Sequence, residues 1–266
     1  MSEILVPRLL SIMLRRLLLA VVVALPAQAA QPLITDDTGT QGKGGQQVEV
    51  SQTQDRLRQA GERGRSRTTG LTYTLGLSDQ ADLFVGGSYQ GLRLANASPA
   101  SGWGNPVLGV KWRLWEHEAS KTSLALKPEL LLPVGAGDEA AELGVGKVSY
   151  ALNAIVSRET VFGSLHFNVA FNRDRRRNSL ETERGMRYSV APVWDLSTSW
   201  KLALDMGLET TRNGSGIRVR SRFVEVGAIY SPDKNQDWAL GFIRSADNDS
   251  PESIRRTVTG GWTLRF

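Results

Sequence analysis

Two histidines, one aspartate pair and one arginine run are the side chains whose types and spacing invite a chemical reading. His166 stands two residues before Asn168. Small outer-membrane lipases combine Ser, His and an acid or amide, so this pair is weighed as an esterase site. Nucleophilic catalysis needs the base within reach of a serine and a third group orienting that base. A lipid esterase must also face lipid, and the alternation described below turns His166 the other way, so no catalytic residue is assigned and the chain is read as a non-enzyme. His117, between Glu116 and Glu118, reads as a solvated turn residue. Pro32–Gly44 holds Asp36, Asp37 and several glycines, but without the strand–loop–helix setting of a phosphate loop. The aspartates suit either a cation or an exposed polar turn, the turn being preferred. Gly135–Gly146 carries Asp138, Glu139 and Glu142 without EF-hand spacing and reads as an outer loop. Arg173, Arg175, Arg176 and Arg177 form the sharpest basic cluster. Two readings stay open for it: bidentate contact with lipopolysaccharide phosphates, or a solvated loop balanced by Asp174, Glu181 and Glu183. The chain has 0 cysteines, which removes thiol chemistry, disulfides and Cys-based metal sites. No metal or cofactor is implied, and the absence of a Lys/Arg block interleaved with aromatics argues against nucleic acid.

The elements that hold these residues follow a period of two. Leu165, Phe167, Val169 and Phe171 fall on one face of a strand, and His166, Asn168, Ala170 and Asn172 on the other. Leu108, Val110, Trp112 and Leu114 oppose Gly109, Lys111 and Arg113; Leu124, Leu126, Leu130 and Leu132 oppose Lys127 and Glu129. The same split runs through 147–157, 186–196, 200–211 and 256–266. Twelve segments result: 46–54, 66–77, 81–90, 106–115, 123–132, 147–157, 162–172, 186–196, 200–211, 220–230, 237–245 and 256–266. A strand of ten residues tilted by ~45° covers roughly 25 Å, the height of an outer-membrane apolar band. The gaps tend to alternate between long (55–65, 91–105, 133–146, 173–185, 246–255) and short (78–80, 158–161, 197–199, 231–236), with 116–122 and 212–219 of medium length. Outer-membrane barrels have long outer loops and short periplasmic turns. Trp194 and Trp200 flank one short turn, Tyr230 and Trp238 another, as a periplasmic aromatic girdle requires. A secreted β-sandwich would also alternate, but its strands are usually about 5–6 residues long. Backbone groups in lipid must pair internally, so the sheet is expected to close, first strand onto last. The fold class expected is all-β: a closed antiparallel up-and-down transmembrane β-barrel of about 12 strands.

The first residues read as a targeting signal. Arg15 and Arg16 precede the unbroken apolar run Leu17–Leu25, and Ala27-Gln28-Ala29 gives a small-x-small cleavage pattern. The organisation expected is a signal peptide over 1–29, an N-terminal periplasmic segment or plug over 30–45, and the barrel over 46–266. Read from Met13, the signal is still complete. Cleavage after Ala29 would remove Arg8, Arg15, Arg16 and Glu3 and lower the net charge from +5 to +3.

Several short runs resemble the phenol-degradation meta-pathway (MetA-like) outer-membrane family. Pro32-Leu33-Ile34-Thr35-Asp36-Asp37-Thr38-Gly39-Thr40 is similar to its mature N-terminus. Gly104-Asn105-Pro106-Val107-Leu108-Gly109-Val110-Lys111-Trp112 resembles its Gly-Asp-x-x-Leu-Gly-x-Lys-Tyr segment, with Asn105 and Trp112 in place of Asp and Tyr. Leu132-Pro133-Val134-Gly135 resembles its Leu-Pro-x-Gly turn, and Leu165-His166-Phe167-Asn168 its short strand motif. The resemblance implies an outer-membrane barrel that passes small hydrophobic or aromatic compounds, and it brings no catalytic residues. Twelve strands should enclose a narrow lumen. Its expected lining is Lys111, Arg113, Lys127, Glu129, Asn153, His166, Asn168, Arg187, Asp195, Lys201, Asp205, Glu209 and Glu225. The expected partners are membrane lipid and lipopolysaccharide, a small solute, and the barrel-assembly machinery through the terminal Phe266. A structural or adhesive barrel that transports nothing, and the lipid esterase, are the alternatives to a passive channel.

Overall fold

A computed structural model describes residues 32–59, 62–95, 97–248 and 253–266; the expected signal peptide lies outside these residues. The strands are β1 (Gln46–Gln59), β2 (Glu62–Ser78), β3 (Ala81–Leu94), β4 (Ala100–Trp103), β5 (Val107–His117), β6 (Thr122–Leu131) and β7 (Ser149–Thr160). They continue with β8 (Gly163–Asp174), β9 (Glu183–Asp195), β10 (Trp200–Asn213), β11 (Arg218–Asp233), β12 (Gln236–Asp247) and β13 (Ile254–Arg265). Successive strands pair antiparallel, except that β4 and β5 both pair with β3, and β1 pairs with β13 from Gln47↔Arg265 to Arg58↔Ile254, so the sheet is closed. Closure removes the unpaired edges that lipid could not satisfy.

β4 and β5 share one place in the wall. β3 meets β5 up to Gly86↔Val107 and β4 from Tyr89↔Trp103, with Gly104-Asn105-Pro106 between them. Pro106 has no N–H to give a ladder, which favours an interruption there. Counted this way the barrel has twelve positions, as the alternation requires.

Side chains alternate through the wall as read from the sequence. Leu71, Val85, Leu108, Leu130, Phe167, Leu208, Val226, Leu240 and Val258 are exposed on the outside. An apolar surface of this extent is stable only against lipid. At the short-turn end Trp200 packs against Tyr230 with ring centres 4.8 Å apart, and Trp238 against Trp262 at 6.0 Å.

Two expectations need correcting. The gap 55–65 is ladder rather than loop: β1 and β2 stay paired through Arg58↔Arg63. β3 likewise runs to Leu94, and β10 to Asn213. Beyond the lipid band both faces of a strand meet water, so alternation disappears while hydrogen bonding continues. The interior is also less uniformly polar than expected. Phe84, Val107 and Leu131 form one buried cluster inside the barrel, and Leu33 packs with Ala191, Val193 and Ala203 in another. Gly109 makes room for the first, since a Cβ there would fall onto the Phe84 ring.

Candidate functional site: a tethered segment and a folded loop inside the barrel

The segment before β1 lies within the lumen. Its centre is Asp36, 2 % exposed. One carboxylate oxygen meets Lys111 Nζ at 2.9 Å and the other meets Lys127 Nζ at 2.7 Å. The Asp36 backbone N–H donates to Asn168 Oδ1 at 2.9 Å, and Asn168 Nδ2 donates back to the Asp36 carbonyl at 2.8 Å. The neighbours extend this anchorage. Thr35 donates from its backbone N–H and its hydroxyl to the two oxygens of Asp205, at 2.6 and 2.7 Å. The Thr38 N–H donates to Ser157 Oγ at 3.1 Å, and the Gln41 N–H to the Asp82 carboxylate at 3.0 Å. Inward positions of β3, β5, β6, β7, β8 and β10 therefore grip the one stretch Thr35–Gln41. These strands can do so because every second side chain points to the axis. Asp36 is neither in an exposed turn nor free for a cation. Its two oxygens are taken by ammonium groups, which corrects the preferred reading of the Asp36-Asp37 pair.

The long-loop end is narrowed by a second device. Residues 133–148, including the short helix α1 (Ala136–Ala140), fold into the mouth instead of standing outside it, burying Val134, Leu143 and Val145. Two arginines hold this loop: Arg177 Nη1 lies 2.7 Å from Glu139, and Arg176 Nη1 lies 2.8 Å from Glu142. Asn105 fixes its return. Its Nδ2 donates to the carbonyls of Leu132 (2.7 Å) and Val145 (2.8 Å), and its Oδ1 accepts from the Val145 N–H (2.8 Å). The resembled family carries Asp at this place; here the amide supplies donors that a carboxylate lacks. Asn105→Asp should cost about 1–3 kcal/mol through the unmet carbonyls. Limited proteolysis of the intact barrel is expected to cut within 133–148 faster in that variant.

Between the segment and the loop lies a chamber of about 280 Å³. Pro32, Leu33 and Ile34 bound it on one side and Leu143, Gly144 and Val145 on another, while Glu49, Asn172, Arg187 and Glu209 contribute polar wall.

The expected lumen residues divide accordingly. Lys111, Lys127, Asn168 and Asp205 grip the segment directly. Asn153 donates to Asn168 Oδ1 at 2.7 Å, and Glu129 sits 3.7 Å from Lys127. Arg187 and Glu209 line the chamber, and Glu225 is fully buried beside Pro32 and Gly241. Arg113 donates to the Asp79 carbonyl at 2.8 Å near the short-turn end. Asp195 and Lys201 depart from the expectation: they form a 3.1 Å ion pair with side chains 52 % and 47 % exposed, at the rim. Both belong to strand ends, where the inward direction already opens to water.

His166 is bracketed by serines, with Ser157 Oγ 2.8 Å from Nδ1 and Ser164 Oγ 2.9 Å from Nε2. Both ring nitrogens are thereby used, and Asn168 is committed to Asp36 and Asn153. Among the described residues no acid or amide hydrogen-bonds the ring, whose two partners are both serines. Of the arginine cluster, Arg176 is buried, Arg177 is tied to Glu139, and Arg173 Nη1 reaches the Tyr150 hydroxyl at 3.4 Å. Arg176 and Arg177 hold the inner loop instead of offering a phosphate contact; Arg175 stays exposed. Sequence reasoning missed Thr35, Ser157 and Asn105, small polar residues with no spacing of their own. Val134, Leu143 and Val145, three large apolar residues in one loop, were a usable sign of inward folding.

The sequence profile of the family described as "Putative MetA-pathway of phenol degradation" matches residues 34–253. No curated protein matches the chain. Among solved structures, the COG4313 outer membrane channel from Pseudomonas putida F1 is similar with a TM-score of 0.63 at 14% identity, covering 86% of this chain and 98% of that one. The beta domain of the Bordetella autotransporter BrkA gives 0.54 at 11% identity, covering 84% and 100%. The NanC porin gives 0.52 at 8% identity, covering 81% and 98%. At these identities the likeness concerns the fold, an outer-membrane β-barrel.

Proposed function

The chain belongs to that phenol-degradation family of outer-membrane barrels, and from this premise we propose that it is a passive channel for small solutes, held shut at rest by its N-terminal segment. The Asp36 clamp carries the reading. A barrel that served only as a wall would have no use for a buried carboxylate held by two lysines from different strands, because each buried charge costs several kcal/mol unless fully paired. A tethered segment that can leave its ligands has such a use. The chamber supports a solute class. Apolar surface from Leu33, Val107, Leu131 and Leu143 together with polar wall suits a small ring bearing one or two hydroxyls. At about 280 Å³ it lies just under the range of roughly 300–1,000 Å³ that holds drug-sized ligands. The COG4313 relative is called a channel, which accords with this role. Catalysis has no part in it.

Planar-bilayer recording tests the proposal. The chain with 32–44 intact is expected to show low or intermittent conductance, and a variant lacking 32–44 a conductance several-fold larger and steady. Equal conductance in the two would remove the segment from gating. Silence in both would favour the second reading, a barrel permanently closed by its segment and by the loop pairs Glu139–Arg177 and Glu142–Arg176.

A further inference from the structure

The outer face of the wall carries arginines in a pattern that the lumen does not use. On β8, β9, β11, β12 and β13 the last apolar outward residue toward the long loops is Phe171, Met186, Val224, Phe242 and Val258. The next outward position on the same strands is Arg173, Arg184, Arg222, Arg244 and Arg256. The charge thus begins where the lipid-facing band ends. The register aligns these side chains. Arg93 stands directly opposite Arg65, Arg65 opposite Arg56, Arg56 opposite Arg256, and Arg256 opposite Arg244, one row across five adjacent strands. A second row runs Arg173, Arg184, Arg212 and Arg218 across β8 to β11. All five arginines of the first row are exposed, and among the described residues none has an ion pair. Like charges directly opposite one another destabilise a sheet, so these rows work against the isolated barrel.

We propose that the two arginine rows are a binding belt for the phosphate groups of the outer-leaflet lipid, the phosphorylated glycolipid of lipopolysaccharide. The chemistry fits on three counts. Guanidinium forks bind phosphate bidentately, so neighbouring arginines can share one anion. Antiparallel partners place their Cα atoms about 4.5–5.5 Å apart, close enough for one phosphate to bridge two side chains. The rows also sit at the upper limit of the apolar band, where the headgroups of that leaflet lie. The bound phosphates then neutralise the repulsion and hold lipid around the pore mouth. The belt lies outside the Arg173–Arg177 run except at Arg173, and it does not depend on whether the channel conducts.

The test uses the purified full-length barrel in detergent and follows thermal unfolding while diphosphorylated lipid A is added. Lipid A is expected to raise Tm, and its dephosphorylated form and inorganic phosphate to do little. The triple variant Arg56→Gln/Arg65→Gln/Arg256→Gln should need about tenfold more lipid A for half-saturation, as lost charge-assisted bonds imply. It should also unfold at a higher temperature than wild type when no lipid is present, because the repulsion is gone. The corresponding lysine triple keeps the charge but gives up the fork, and should bind between the two. Lys121→Gln/Lys234→Gln, at the short-turn end, should change neither reading. Equal lipid A binding by wild type and both triples overturns the proposal. So does equal stabilisation by dephosphorylated lipid A, and stabilisation by inorganic phosphate alone would mean that a free anion, not lipid, is recognised.

Discussion

Asp36→Asn is expected to open the barrel. The substitution keeps the side chain's shape and removes its charge, leaving the ammonium groups of Lys111 and Lys127 without the carboxylate that each now meets within 3 Å. Breaking a buried ion pair by removing one partner typically costs about 3–5 kcal/mol, because the charge left behind is uncompensated. Here two lysines lose their nearest partner at once, keeping only the longer contacts of Lys111 to Asp37 at 3.6 Å and of Lys127 to Glu129 at 3.7 Å. The remaining ties, Asn168 to the backbone of residue 36, Thr35 to Asp205, Thr38 to Ser157 and Gln41 to Asp82, are individually modest hydrogen bonds, net about 0.5–1.5 kcal/mol each or somewhat more where a carboxylate accepts. The segment should therefore leave the lumen for much of the time. In planar bilayers the variant should conduct more than wild type and prefer anions, since two lysines then face the bore. Because the chain has 0 cysteines, Leu33→Cys gives a clean reporter: protected from a water-soluble maleimide in the wild-type background and labelled in the Asp36→Asn background. Adding Lys111→Met, Lys127→Met and Glu129→Gln to Asp36→Asn, so that Lys127's second partner is not left as a buried charge, is expected to restore closure, because an apolar replacement of a complete buried ion cluster is often neutral. Wild-type conductance and protection in Asp36→Asn would mean that the clamp is not what holds the segment.

The wall was readable in the sequence because lipid imposes one rule on every residue of a spanning strand. Leu165, Phe167 and Val169 must face hydrocarbon, so their neighbours must face inward, and nothing else in the chain competes with that demand. The rule stops at the band's edge. Arg56 and Arg65 are as firmly paired as Val50 and Leu71, yet polar residues on both faces made their stretch look like a loop. The site was legible only in its parts. Lys111, Lys127, Asn168 and Asp205 were placed on the inner face by parity, but parity says nothing about what meets them there. Their common partner is more than seventy residues away in sequence, in a glycine-rich run without periodicity. The same gap explains Arg176 and Arg177. As a cluster they look like an anion site, and only the inward fold of 133–148, which brings Glu139 and Glu142 to them, turns them into fasteners.

Leu143→Asp is expected to release the loop at the other end of the chamber. Leu143 is 2 % exposed, and it sits beside Gly102 and Gly144 in the mouth. A carboxylate there would be buried near Glu142 and Asp138, and Arg176, which holds this loop, already pairs with Glu142. The desolvation penalty for an unpaired ion is several kcal/mol after relaxation. The fastenings opposing release are the two ion pairs and the Asn105 amide bonds, and they hold the loop's ends better than its centre. The centre should therefore swing into the water above the mouth while β6 and β7, whose ladder is continuous, stay paired. Acid should act in the same direction on the wild type. Burial alone would raise the Glu139 carboxyl, but the Arg177 side chain and the N–H groups of Arg177 and Gly146 outweigh it and hold its pKa below the ordinary 4.5. A carboxylate so depressed stabilises the folded loop above its ordinary pKa and loses that contribution as pH falls through the lowered value. Labelling of Val145→Cys, buried at neutral pH in the otherwise cysteine-free chain, gives the measurement. With a pyridyl disulfide, which still reacts with thiols in acid, it should be faster at acid pH than at neutral pH, and in Leu143→Asp it should be fast at neutral pH already. Protection unchanged by Leu143→Asp would show that the loop is held by its ends alone, and that the apolar face of the chamber has no share in closing it.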